Sequence, residues 1–126
     1  MTKVYGYKGL IVWQKSIDLV AEIYSFTKEF PKEELFGLTA QLRRASISIP
    51  SNIAEGIGRN TAKDFHHFLS MAYGSTKEVK TQLIISKRLS FGKKTAYTQA
   101  ESLLDEVAKM LNKMVSNGRT ERITKD

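Results

Sequence analysis

The chain has 126 residues and no cysteine, and its 20 Lys and Arg against 13 Asp and Glu leave a formal charge of +7. That length gives one domain able to bury roughly two thirds of its unfolded surface without a disulfide or metal to hold it. The missing cysteines exclude thiolate metal sites and thiol catalysis; no stretch reaches the ~20 apolar residues of a membrane span, and the opening MTKVYGYKGLIVWQKS lacks a continuous apolar h-region, so a soluble, cytoplasmic protein is expected.

Leu10, Trp13, Ile17, Val20 and Tyr24, with Ile23 beside them, recur at helical intervals and predict a first helix over about 10 to 29, ended by Phe30-Pro31. A second helix is expected to open at Pro31, an N1-type residue, with Glu33 and Glu34 in a first turn whose dipole favours negative charge. It carries two apolar stripes: Leu35, Leu38, Leu42, Ala45 and Ile49 form one, while Phe36, Ala40, Ile47, Ala54 and Ile57 fall away from it. One stripe suits the chain's own bundle and the other a partner subunit, which makes Phe36, Ile47 and Ile57 candidate interface residues. Pro50 allows two readings, a bend in one long helix or a stop at Ile49 with a new helix opening after Ser51 as N-cap, near Glu55. Gly56 and Gly58 mark the C-terminal end, and Gly58-Arg59-Asn60 the turn.

Thr61 reads as the N-cap of a third helix, with Asp64 at N3 and Phe65, Phe68, Leu69, Ala72, Val79, Leu83 and Leu89 supplying its apolar face to about residue 90. The small residues Ala72, Gly74 and Ser75 predict a close backbone approach at mid-helix. Phe91-Gly92-Lys93-Lys94 connects to a fourth helix with a seam of Ala100, Leu103, Val107, Met110, Leu111 and Met114 and a stop at Gly118, leaving 119 to 126 as a mobile tail. Glu101, Asp105 and Glu106 come early in that helix and Lys109 and Lys113 late, in agreement with its dipole. No segment alternates as a strand does. The pattern predicts an all-α, antiparallel up-down-up-down four-helix bundle over residues 1 to 118.

Continuing the second helix's seam by its own spacing reaches Asn52 and Gly56, and Ser75, Glu78 and Gln82 share one side of the third helix. Buried amides and carboxylates need partners, so Asn52, Glu55, Glu78 and Gln82 are expected to contact one another in a hydrogen-bonded network, with Arg44 or Arg59 as further members. The functional alternative is a catalytic acid pair, Glu55 with Glu78, or a carboxylate metal site. A bundle metal site needs Glu-x-x-His on two helices, which the sequence lacks, and the adjacent His66 and His67 point about 100° apart on a helix. No nucleophile with a base, phosphate loop or dinucleotide fingerprint is present, so no enzyme activity, metal or cofactor is expected.

Residues 77 to 94 hold Lys77, Lys80, Lys87, Arg88, Lys93 and Lys94 against the single acid Glu78. A solvated helix face and a polyanion contact both fit that pattern. In the second, Lys77, Lys80 and Lys87 form a phosphate-facing stripe with Arg88, Lys93 and Lys94 near its end, and Arg43, Arg44 and Arg59 complete the candidate nucleic-acid residues. Trp13, Tyr24, Phe26, Phe36, Phe65, Phe68 and Tyr73 sit at helical spacing and read as core or interface, whereas Tyr5, Tyr7 and Tyr97 are freer. Any nucleic-acid contact is therefore expected to be mainly electrostatic.

The segments LTAQLRRASISIPSNIAEGIGR (38 to 59) and FHHFLSMAYGSTKEVKTQL (65 to 83), after the opening LIVWQKSIDLVAEIYSFTKEFPKEELFGL, give the chain a specific likeness over about residues 10 to 90. It resembles the four-helix-bundle proteins encoded within intervening sequences of bacterial 23S rRNA genes. Arg43, Arg44, Ser48, Asn52, Ala54, Glu55, Gly56 and Arg59 stand where that family's pattern places them, as do Gly74, Ser75, Glu78 and Gln82. The resemblance implies a ring-like homopentamer, and kinship with accessory proteins of diversity-generating retroelements, which bind nucleic acid and a reverse transcriptase. A protein-protein adaptor or assembly scaffold without direct nucleic-acid binding is the alternative function.

Overall fold

Four α-helices follow from this periodicity in the computed structural model, which describes the backbone of residues 7–125 and the side chains of residues 7–117. They are α1 (Ile11–Thr27), α2 (Leu38–Ile57), α3 (Ala62–Arg88) and α4 (Lys94–Lys125), with short 3-10 turns at Tyr7–Gly9 and Lys32–Glu34. α1 packs on α2 and α4, and α3 packs on the same two, giving the expected antiparallel four-helix bundle. Leu19, Ile23 and Phe26 of α1, Leu42 and Ile49 of α2, Leu83 of α3 and Leu111 of α4 are wholly enclosed along its axis. Each such side chain contributes about 1.5–3 kcal/mol through removal of apolar surface from water. Among the described residues no helix is long and apolar enough to cross a membrane.

Several boundaries and registers differ from the sequence reading. The buried stripe of α1 is Val12, Ser16, Leu19, Ile23 and Phe26, with Ile17 and Tyr24 exposed. Ser16 and Thr27 enter the interior because each hydroxyl donates to its own helix, to the Trp13 carbonyl at 2.7 Å and the Ile23 carbonyl at 2.8 Å. Small self-satisfied polar residues on the inner face shift the buried stripe away from the most apolar-looking one. Pro31 leads into the 3-10 turn and not into α2, which starts only after Gly37. A Glu34 carboxylate oxygen accepts from the Leu38 N–H at 3.1 Å, so this acid caps α2 from outside it, and Leu35 is left exposed in the turn.

α2 runs unbroken through the buried Pro50, so no new helix opens at Ser51. Around the proline, side chains bond back to preceding carbonyls: the Ser46 hydroxyl to Arg43, the Ser48 hydroxyl to Ala45 and the Asn52 amide to Ser48. Ile53 fills the seam between Ile49 and Gly56, while Asn52 is only half-buried. At the start of α3, Thr61 accepts from the Asp64 N–H at 3.1 Å, as the capping pattern predicts. Leu89, expected on the apolar face, lies past the end of α3 and is exposed. α4 does not stop at Gly118; a glycine inside a helix costs only about 1 kcal/mol and does not by itself end one. The expected mobile tail at 119–126 lies outside the residues whose side chains are described, and Tyr5 lies outside the described residues altogether.

The close helix approach falls at Gly56 and not at Gly74. A Cβ on Gly56 would stand 3.0 Å from the Phe68 Cβ and 3.2 Å from the Phe65 carbonyl oxygen, whereas one on Gly74 would meet nothing within 4 Å. Gly56→Ala should therefore destabilise the chain by about 1–3 kcal/mol through overpacking, while Gly74→Ala stabilises it by up to about 1 kcal/mol through helix propensity. Urea denaturation followed by circular dichroism reads both, and equal signs would contradict this placement of the close contact.

Candidate nucleic-acid interface

The cations concentrated late in α3 and early in α4 are positioned by the turn between the two helices. Ser90 and Gly92 adopt left-handed backbone conformations, with φ of 60° and 79°, and the Phe91 N–H donates to the Ser86 carbonyl at 2.9 Å. Only a bare backbone fits at Gly92, because an added Cβ would lie 2.4 Å from the Phe26 ring. Phe26 in turn meets Phe30 edge-on at 5.0 Å and Tyr97 at 5.9 Å, and Phe30 meets Phe91 at 5.5 Å. Tyr97, read from sequence as one of the freer aromatics, is 7% exposed, because this cluster closes one end of the bundle over it. Tyr7 likewise packs edge-on against Trp13, at 5.2 Å.

On the outer side of that cluster lies a cleft of about 390 Å³ lined by Lys87, Lys93 and Lys94 together with Phe91, Tyr97 and Glu101. A second hollow of about 440 Å³ adjoins it, sharing Lys87, Tyr97 and Glu101 and adding Ile84 and Arg88. The Lys87 ammonium stands 5.1 Å from the centre of the Tyr97 ring. Among the described residues, Lys87, Arg88, Lys93 and Lys94 have no carboxylate partner within ion-pair distance. The first turn of α4 carries no acidic residue either, so the positive end of its dipole adds to theirs.

Lys80 differs from its neighbours on the expected stripe. Its ammonium donates to Glu101 and to Asp105, each at 3.2 Å, so it is neutralised across the α3–α4 interface and is not a free phosphate-facing cation. Burial pushes the Lys80 pKa down, but hydrogen bonds to Asp105 and Glu101 and the charge of both carboxylates outweigh it and leave the value raised. The Tyr97 pKa is raised as well, first by burial and then by the charge of Glu101, whose carboxylate accepts from the phenol at 3.4 Å. Lys77 lies over the Tyr73 ring at 5.0 Å.

The three candidate arginines sit elsewhere and are occupied within the chain. Arg43 donates from Nε to the Thr27 hydroxyl at 3.0 Å, with its guanidinium 4.4 Å from the Tyr24 ring centre, tying α1 to α2. Arg44 pairs with Glu78 across α2 and α3 and also donates to the Gln41 side chain. Arg59 pairs with Glu55 at 2.7 Å and lies over the Phe68 ring at 4.7 Å. Arg43, Arg44 and Arg59 thus do not join the lysines in one surface.

The expected network of Asn52, Glu55, Glu78 and Gln82 separates into local contacts. Glu55 and Glu78 each take a different arginine, Asn52 donates to the Ser48 carbonyl at 2.8 Å, and a buried Gln82 side-chain oxygen has no partner among the described residues. Besides the Arg44–Glu78 pair, α2 and α3 are bridged by a side-chain contact that spacing did not suggest, Ser48 to Ser75 at 2.6 Å. His66 contacts the Val115 carbonyl at 3.0 Å, which joins α3 to α4.

Of the candidate interface residues, Phe36 is 92% exposed in the turn before α2 and Ile47 is 41% exposed, but Ile57 is half-buried against the chain's own core. Ile17 and Tyr24 of α1 are exposed as well. Arg43, one helical turn before Ile47, touches Thr27 and Tyr24, so the exposed apolar residues of α1 and α2 border one another.

A sequence model of the 23S rRNA-intervening sequence proteins matches residues 8–113 of the chain. Among solved structures, a Bacteroides thetaiotaomicron protein of unknown function, described as belonging to the S23 ribosomal protein family, superposes with a TM-score of 0.74. It is 23% identical, and the match covers 83% of this chain and 98% of that one, a likeness of fold. No curated protein matches the sequence.

Lys80 and Tyr97 both hold their protons more tightly folded than unfolded. The stability they contribute is therefore complete below the ordinary values of 10.0 for Tyr97 and 10.5 for Lys80, and is lost as pH rises through the higher folded values. A Lys80→Met, Tyr97→Phe variant should lose less melting temperature than the native chain between about pH 9 and pH 11, because both linked protons are gone. An equal loss, followed by circular dichroism, would contradict these assignments.

Proposed function

Because the chain belongs to the 23S rRNA-intervening sequence protein family, we propose that it is a non-enzymatic cytoplasmic protein that assembles into a homopentamer and associates with nucleic acid through the basic end of its bundle. The observation that carries this reading is the division of its cations. Lys15, Arg44, Arg59 and Lys80 are spent on ion pairs within the chain, whereas Lys87, Arg88, Lys93 and Lys94 share one end with no carboxylate partner among the described residues. Clustered free cations of this kind displace the counterions condensed on a phosphate backbone, which yields affinity that falls steeply with salt. Self-association would cover the apolar border of Ile17, Tyr24 and Ile47 and present several basic ends to one polyanion, raising avidity without new contacts.

The exposure of Phe36 supports a second reading, in which the bundle is a scaffold for a partner protein such as a reverse transcriptase. Polarisation titrations with RNA and DNA across salt concentrations separate the two. Lys87→Glu with Arg88→Glu should weaken binding at least about tenfold at low salt and reduce the salt slope by about one per lost phosphate contact. No binding at low salt removes the nucleic-acid reading, and stoichiometric recovery of a protein from nuclease-treated lysate would then favour the scaffold. The native mass should be that of five 14.3 kDa chains; a single-chain mass removes the assembly.

A further inference from the structure

We propose that the cleft between the α3–α4 turn and the start of α4 holds one ribonucleotide unit of single-stranded RNA: its phosphate on Lys87, Lys93 and Lys94, its base against Phe91, and its ribose 2′-hydroxyl donating to Glu101. This rests on the reading of the basic end as a nucleic-acid surface, and it adds which nucleic acid is taken and how.

The composition of the cleft distinguishes it from a plain phosphate patch. Its volume, about 390 Å³, lies in the range of small-ligand sites, and a half-buried aromatic side chain lines it beside the cations. A duplex keeps its bases stacked inward and cannot use such an aromatic wall, whereas a single strand can turn a base outward onto it. Glu101 is the decisive group. Besides pairing with Lys80, this carboxylate beside the lysines can accept a hydrogen bond from a ligand hydroxyl, which a phosphate group does not offer. Both of its hydrogen bonds, from Tyr97 and from Lys80, go to Oε2. Among the described residues this leaves Oε1 as the acceptor. Within a strand, where the 3′ and 5′ oxygens are esterified, the 2′-hydroxyl is the one hydroxyl the ribose can donate, and DNA lacks it.

The site is also held ready. Lys80 fixes the Glu101 carboxylate from the α3 side, the Phe26 ring against Gly92 fixes the turn, and the Lys87 ammonium is stationed over Tyr97.

The test is polarisation at low salt with a short fluorescein-labelled single-stranded RNA, the DNA of the same sequence and the 2′-O-methyl RNA. The native chain should bind the RNA about tenfold tighter than either of the others, as expected for one hydrogen bond to a charged acceptor. Glu101→Ala should abolish that preference, and Glu101→Gln, which keeps an acceptor oxygen, should retain part of it. Lys93→Glu with Lys94→Glu should weaken RNA binding at least about tenfold, against a much smaller effect of Lys109→Glu with Lys113→Glu farther along α4; acids at the start of a helix suit its dipole, so the first pair should fold. Equal affinity of the native chain for the three probes, or equal effects of the two lysine pairs, would overturn the ribonucleotide site while leaving a general basic surface in place. No binding of any probe would overturn both. The 2′-O-methyl comparison uses the unaltered chain, so a variant that fails to fold does not shield the proposal.

Discussion

The contact on which the basic end of this bundle depends is the Phe26 ring lying against the bare backbone of Gly92. It fixes the path of the chain between α3 and α4, where a left-handed backbone at two positions reverses direction within a few residues. Phe30, Phe91 and Tyr97 close around it and exclude water from that end of the core. A turn anchored from below by rings has its lysines left over on the outside. The cluster that completes the core is therefore also what displays the charge.

Charge partition follows the same logic. Where a cation on α3 faces the acidic first half of α4, as Lys80 does, it is taken into an interhelical pair and its charge is cancelled. Arg43, Arg44 and Arg59 are used within the chain as well, in pairs and ring contacts that tie α1, α2 and α3 together. At the end of α3 and the start of α4, Arg88, Lys93 and Lys94 have no carboxylate within ion-pair distance among the described residues, and they keep a local positive field that the start of α4 reinforces. A formal excess of +7 spread over a whole surface would mean little, but residues 77 to 94 hold six cations against one acid, and a local excess of that kind is a feature a polyanion can read.

Much of this was legible in the sequence, because helix caps and 3.6-residue spacing are local. Thr61 with Asp64 gave the start of α3, and the runs of apolar residues gave four helices and their antiparallel order. The register of α1 was misread because Ser16 and Thr27 satisfy themselves on the inner face while Ile17 and Tyr24 are left outside, which inverts the usual sign of hydrophobicity. The candidate site was legible only as a list of cations. Which of them are paired depends on the rotation of α4 against α3, a tertiary quantity with no signature in spacing. The aromatic cluster was equally hidden, since residues 26, 30, 91 and 97 meet only once the bundle closes. One signal was available: glycine at 92 in a turn followed by two lysines implied a close approach there, and Gly56 carried the same hint between α2 and α3.

Hydrogen–deuterium exchange of the protein, with and without single-stranded RNA at low salt, tests the central claim most directly, because it locates the bound ligand without altering a residue. Slowed exchange confined to peptides covering residues 87 to 101 is the expected result. Protection centred on residues 41 to 59, the segment of Arg43, Arg44 and Arg59, with 87 to 101 unchanged, would contradict it.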